Sequence, residues 1–375
     1  MLCKNATVFT PEGRFVSGGF RVENGRFTEV YDHIPEGAGL DLEGALVLPG
    51  LIDLHTHGNS GADFSDGDYA GLRKMASYLA ARGVTSFAPA SMTLPYDDLR
   101  AAFATAARLA EEQPAGCARL LGIQMEGPFF SEKKKGAQNG AYLRLPDAGA
   151  FRELYDGCGG LIKIADVAPE LEGAEAFVRE ASRLCTVSVA HTDADYEAAR
   201  AAFEAGARHL THLFNAMPPL LHRDPGVIGA AAEREDVTAE LICDGLHVHP
   251  SAVRAAFRLF PGRICLISDA LRCCGMPEGN YMLGGQEVTL RGRIARLADG
   301  TIAGSASTLY DCLLTAVSFG IPREQAILAA TRTPARVLGR EAELGAIAPG
   351  ALADFIVCDG ALRRQAVYMG GERIA

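Results

Sequence analysis

The stretch Ala45-Leu46-Val47-Leu48-Pro49-Gly50-Leu51-Ile52-Asp53-Leu54-His55-Thr56-His57-Gly58 is almost wholly apolar until it ends on two histidines. In an extended strand, side chains two residues apart point to the same face. His55 and His57 therefore aim at one point at the mouth of a buried strand, where a divalent metal can sit.

The chain beyond this stretch alternates apolar strands with amphipathic helices. Strands are predicted at 83–90, 120–125, 160–165, 186–190, 239–243 and 263–267, with an Ala-rich helix over 97–112. Strand–helix alternation over most of the chain predicts an α/β fold, a (β/α)8 barrel of the TIM type. The ends differ in texture. Short strands at 6–10, 19–22 and 26–30 are split by Pro11-Glu12-Gly13 and Asn24-Gly25 turns, and strands return at 354–358 and 366–369. The expected organisation is a barrel over 49–344 and a small β-sandwich domain assembled from 1–48 and 345–375.

A net charge of −10 with no basic stripe argues against nucleic acid as a partner. It leaves room for a phosphorylated small molecule, which one or two local cations can hold. The N-terminus lacks the apolar segment of a signal peptide, and no window offers a membrane span. The ten cysteines have no CxxC spacing. A cytoplasmic protein with reduced thiols is expected.

In a barrel of this kind the chemistry gathers at the C-terminal ends of the strands. Glu126, His191, His212, Asp244 and Asp269 each close a predicted strand, as His55 and His57 do. Buried charge is costly unless paired or metal-bound, so their joint occurrence resists explanation as packing. Imidazoles with a carboxylate suit zinc or ferrous iron. Such a site supports metal-assisted hydrolysis, in which water is made more acidic and a carbonyl is polarised. A further carboxylate, Asp269, is the candidate to take the water proton and deliver it to a leaving amine. Among the other histidines, His209 stands three residues before His212 and is expected on the opposite face, in a structural role. His249 before Pro250 reads as a helix-entry residue. His222 reads as a solvated loop residue or an anion contact, and His33 as a surface residue.

The run from Pro49 to Gly58 resembles the first metal motif of the amidohydrolase superfamily. Within it, Glu126-Gly127-Pro128-Phe129 with Lys133-Lys134-Lys135-Gly136, then His212-Leu213-Phe214-Asn215-Ala216-Met217, Asp244-Gly245-Leu246-His247 and Gly304-Ser305-Ala306 resemble the amino-sugar-phosphate deacetylases, in the expected order. The resemblance implies hydrolysis of the acetamide of N-acetylglucosamine 6-phosphate to glucosamine 6-phosphate and acetate. It implies Glu126, His191 and His212 on the main divalent metal, with His55 and His57 matching members that carry a second, and Asp269 as general base and acid. It implies Asn215, Ala216, Ala137, Ile302, Ala303 and Gly304 around the sugar, and His247 and Arg223 on the substrate. Arg223 would take the phosphate, reaching across a homodimer interface.

The chain departs from the family at Gln138, where a histidine usually stands and helps to polarise the carbonyl. An amide can donate there but cannot be cationic. Arg223 offers a bidentate fork for phosphate, against a surface ion pair with Asp224 or Glu233 as the plainer alternative. Lys133, Lys134 and Lys135 are a solvated charge run that can also steer phosphate. Another amidohydrolase acting on the galacto epimer or a cyclic amide is the runner-up. In two-metal members of that kind a carboxylated lysine bridges the ions, and Lys163 is the residue to check, although a second-layer or substrate-side role is expected for it. A barrel scaffold without chemistry is disfavoured, because every expected ligand is present.

Overall fold

The computed structural model describes all 375 residues. Eight parallel strands follow one another through the middle of the chain: β1 Leu51–Thr56, β2 Val84–Pro89, β3 Ile123–Met125, β4 Ile162–Val167, β5 Thr186–Val189, β6 His209–Leu210, β7 Thr238–Ile242 and β8 Ile264–Ile267. Strands β3 to β8 form one parallel sheet in sequence order, and β1 pairs with β2. Single parallel bridges join Ala90 after β2 to Gln124 in β3, and Thr56 in β1 to Ala270 after β8. The sheet is therefore curled, and it is covered by helices. That covering explains the near-continuous apolar runs, because each strand is buried on both faces.

Helices return the chain from the end of one strand to the start of the next. Several begin on a side chain that accepts from the first free N–H groups: Asp68 before Tyr69–Ala81, Asp147 before Ala148–Gly157, Asp195 before Tyr196–Ala205 and Thr308 before Leu309–Ser318. Their apolar faces pack on the sheet in one large core that includes Leu72, Phe103, Phe151, Phe177 and Phe203.

Strands from both ends of the chain form one further sheet. Its order is Glu372–Arg373, Arg364–Met369, Phe355–Cys358, Leu46–Pro49, Leu2–Phe9, Phe15–Glu23 and Arg26–Tyr31, with Leu40–Asp41 beside Leu2–Phe9. The long apolar run thus serves two sheets. Leu46–Pro49 lies in the terminal sheet, and after Gly50 the chain enters β1. A Cβ on Gly50 would lie 2.1 Å from Thr85 Oγ1, so only glycine passes this crossing.

The sequence reading did not anticipate a three-stranded antiparallel insertion after β8: Gly279–Leu283, Gln286–Arg291 and Ile294–Leu297. Leu283, Val288, Leu290 and Ala295 form its small core with Met92, Leu271 and Ala303. All ten cysteines are unpaired. No helix is long and apolar enough to cross a membrane.

Candidate active site

His55, Glu126, His191, His212 and Asp269 stand at or just beyond the C-terminal ends of β1, β3, β5, β6 and β8, and His57 follows β1 directly. All six are buried. Five of them form two groups within metal-ligand reach, His55–His57–Glu126 and Glu126–His191–His212, which share the glutamate. Glu126 Oε1 is 3.1 Å from His191 Nε2 and 3.2 Å from His212 Nε2. Its Oε2 is 3.4 Å from His57 Nε2. Asp269 Oδ1 is 3.6 Å and 3.2 Å from the Nε2 atoms of His55 and His57.

The Nδ1 atoms explain why every Nε2 faces inward. His57 Nδ1 is 3.1 Å from Ala90 O, His191 Nδ1 2.9 Å from Lys134 O, and His212 Nδ1 3.2 Å from Asn215 O. His55 Nδ1 is 3.0 Å from Glu240 Oε2. Each acceptor takes an N–H, which leaves a lone pair on each Nε2. His191 and His212 then bring two such lone pairs to 3.1 Å, and His55 and His57 to 3.4 Å. Such close pairs of nitrogens are relieved by protons given to Glu126 and Asp269 or by a cation bound between them, and a divalent ion serves both pairs at once.

The charge balance points the same way. Glu126, Glu240 and Asp269 are buried carboxylates held below the ordinary range by neighbouring imidazoles, and no lysine is buried. The one buried arginine, Arg263, is occupied by four main-chain carbonyls of the segments flanking β7 and β8. One or two divalent ions fit this donor set and its surplus of carboxylate.

Burial alone would raise the Glu126 carboxyl, but the imidazoles of His55, His191, His212 and His57 hold it well below the usual carboxylate range. Asp269 is likewise lowered: in the metal-free chain, where the His55 and His57 rings can also carry a proton on Nε2, burial is outweighed by the His57 hydrogen bond and by the charge of both rings. His191, His212 and Asp269 also adopt left-handed backbone, at φ 45°, 30° and 47°. Such positions cost about 1–3 kcal/mol each and gather where side chains must be aimed.

Above this floor is a cavity of about 330 Å³, at the small end of the range for small-molecule pockets. Its walls include Ala137, Gln138, Asn215, Ala216, His247, Ile302 and Gly304, with Lys133 and Lys134 at its rim. Ala303 is buried beneath, in the core of the insertion. Leu283 of the insertion lines the cavity, and Gln286 Nε2 donates to Ala137 O at 2.7 Å, tying the two covering loops together. Arg223 is exposed, lies outside this cavity and forms no salt bridge within the chain.

Several expectations need correction. Gln138 does not face the cavity as a free donor: its Oε1 accepts from Thr93 N at 2.7 Å and its Nε2 donates to Glu126 Oε2 at 2.6 Å. Asp244 is no ligand. It accepts from His247 Nδ1 at 2.9 Å and from the main-chain N–H of Leu246 and His247. Lys163 is neither substrate-side nor near the metal cluster; its Nζ donates to Gly160 O at 2.8 Å, at the opposite end of β4. His209 does not turn away from the interior, because β6 ends at Leu210 and the alternation does not extend to His212. His249 caps Pro250–Leu259 as expected. The residue missed altogether is Glu240. A lone glutamate in an apolar strand was the available signal, and it shares parity with Ile242 on the cavity side.

A model of the amidohydrolase family matches residues 46–373. The N-acetylglucosamine-6-phosphate deacetylase of Bacillus subtilis is 39% identical over 314 residues, which cover 81% of this chain and 79% of that one. The N-acetylgalactosamine-6-phosphate deacetylase of Escherichia coli O157:H7 is 33% identical over 367 residues, 97% of each chain. Among solved structures, a mutant of the N-acetyl-D-glucosamine-6-phosphate deacetylase of Mycobacterium smegmatis, in complex with N-acetyl-D-glucosamine-6-phosphate, superposes with a TM-score of 0.94. It is 33% identical, and the match covers 100% of this chain and 99% of that one.

Proposed function

This chain belongs to the amidohydrolase family, and from that premise we propose that it hydrolyses the acetamide of N-acetylglucosamine 6-phosphate to glucosamine 6-phosphate and acetate. The observation that carries the reading is the convergence of four Nε2 lone pairs and one shared carboxylate beside Asp269, under a cavity of about 330 Å³.

One or two divalent ions, zinc or ferrous iron by the donor types, would be held by Glu126, His191 and His212 and by Glu126, His55 and His57. A bound ion supplies Lewis acidity toward the amide carbonyl and makes water more acidic. The rest falls to the chain. Asp269, kept ionised, accepts the proton of the attacking water as the C–O bond forms. It returns that proton to the amide nitrogen as the C–N bond breaks. Gln138 holds Glu126 in place. Asn215, Ala216, His247, Ala137, Ile302 and Gly304 surround the sugar, with Ala303 supporting them. Lys133 and Lys134 draw the phosphate toward the rim.

The finer architecture belongs to the same reading. The eight strands close as a (β/α)8 barrel over 49–344, and 1–48 with 345–375 make a β-sandwich domain. Two copies pair, and the partner copy brings its arginine 223 to the phosphate.

Acetate release from N-acetylglucosamine 6-phosphate, with ions counted on the same sample and a chelated control, tests the proposal. Fast release that chelation abolishes is expected. A metal-loaded protein that releases no acetate would overturn the substrate while leaving the hydrolase. The galacto epimer is the second reading, because a relative matched over 97% of both chains bears its name. It is assayed alongside.

A further inference from the structure

We propose that Glu240 is a positioning residue that fixes His55 in its metal-binding tautomer and so makes the two halves of the metal cluster unequal. Of the four inward-facing imidazoles, three give their Nδ1 proton to a main-chain carbonyl. Only His55 gives it to a carboxylate, Glu240 Oε2 at 3.0 Å. Both residues are fully buried. A hydrogen bond to a carboxylate is stronger than one to a neutral carbonyl. It also makes the far nitrogen of the ring a better electron-pair donor. His55 Nε2 is therefore the most strongly backed ligand atom of the cluster.

Glu240 is itself held. His209 Nε2 lies 3.2 Å from Glu240 Oε1, and His209 Nδ1 lies 2.6 Å from Thr238 Oγ1. A carboxylate can only accept, so the contact calls for the His209 proton on Nε2, pointing to Glu240. The main-chain N–H of His212 reaches Glu240 Oε2 at 3.3 Å. One carboxylate thus braces a side chain of the His55–His57 half and the backbone of the His191–His212 half. His209, Glu240 and His55 form a buried line that ends at the cluster. This inference rests on the metal reading of the cluster and not on the choice of substrate.

The test uses zinc alone. Metal-free protein is titrated against a chromophoric chelator, and bound ions are counted. Wild type is expected to take two. Glu240→Leu should weaken one of the two by roughly 10- to 100-fold, the usual effect of removing an outer partner of a metal ligand, and the other, braced only through the longer His212 N–H contact, by much less. Glu240→Gln, which keeps an acceptor oxygen in place, should recover most of the loss. Two wild-type affinities in Glu240→Leu would overturn this inference alone. A wild type that takes no zinc would overturn the metal reading with it. Should Glu240→Leu fail to fold, ¹⁵N-histidine spectra of the zinc-loaded wild type decide. The proton of His55 is expected on Nδ1; a proton on Nε2 overturns the proposal.

Discussion

Asp269 is aimed at the gap between His55 and His57 but belongs to neither three-residue metal group. Metal binding and proton transfer should therefore separate at this residue. Asp269→Asn is expected to keep the wild-type ion count and to lower kcat by about 10²- to 10⁴-fold, the usual contribution of a positioned base. Near-normal turnover in that variant would remove Asp269 from the proton path. His247 offers a second separation. Burial pushes its imidazole down, but the hydrogen bond and charge of Asp244, with the charge of Asp269, hold it above the ordinary value. A raised imidazole keeps its proton, and its attraction for an anionic sugar, to a higher pH than a free one. That attraction is complete on the acid side and is lost as pH rises through the raised value. KM for the sugar phosphate should then climb on the alkaline side. Asp244→Asn should move the climb to lower pH, and His247→Gln should flatten it. A climb that is identical in all three proteins would exclude His247 as its source.

At the scale of elements, the terminal sheet and the parallel strands are joined by an ion pair between a half-buried arginine and a buried aspartate. Arg119, in a short strand beside β2, pairs with Asp354, which leads into Phe355–Cys358. Asp354 also accepts from Gly370 N at 2.8 Å. Burial keeps its carboxyl above the ordinary range despite the arginine. Arg119→Met would strand that carboxyl without a cation, at a cost of about 1–3 kcal/mol. The urea midpoint should fall accordingly, and adding Asp354→Asn should restore part of it. An unchanged midpoint would mean that the pair does not bind the two parts together. The legibility of these elements in the sequence follows their periodicity. The His55-Thr56-His57 convergence was readable because period-2 alternation holds through β1. The His209–His212 divergence failed because β6 is two residues long, and His212 lies in left-handed backbone. Glu240 was passed over because a single charge in an apolar strand carries no direction until the barrel interior is known. The insertion carries Gly284-Gly285 between two strands, a hairpin signal that the strand–helix reading of the chain left unused.

At the scale of the whole molecule, a chain of net charge −10 must bring an anionic substrate onto a floor of carboxylates. Lys133 and Lys134 reach the rim, but both also lie near Asp193, at 3.0 Å and 3.8 Å. Arg223 forms no salt bridge within the chain. It sits on an exposed loop beside Leu220 and Leu221, which are 43% and 52% exposed, and this loop follows the cavity residues Asn215 and Ala216. An exposed loop that carries leucines and an arginine outside its own cavity is suited to the proposed pair, in which each copy would complete the other's site. Arg223→Ala should then raise KM for the phosphorylated sugar by about 10- to 100-fold, the worth of a charge-assisted fork, and leave an unphosphorylated analogue unaffected. The decisive form of the experiment uses two differently tagged variants, Arg223→Ala and Asp269→Asn, co-expressed and purified as the mixed pair. The Arg223→Ala copy keeps its base and receives an arginine from its partner; the other copy has neither. At low substrate the mixed pair should show roughly half of wild-type activity, although each parent shows almost none. If the mixed pair does no better than the mean of its parents, Arg223 acts within its own chain or not at all, and the phosphate must be held by the lysines at the rim.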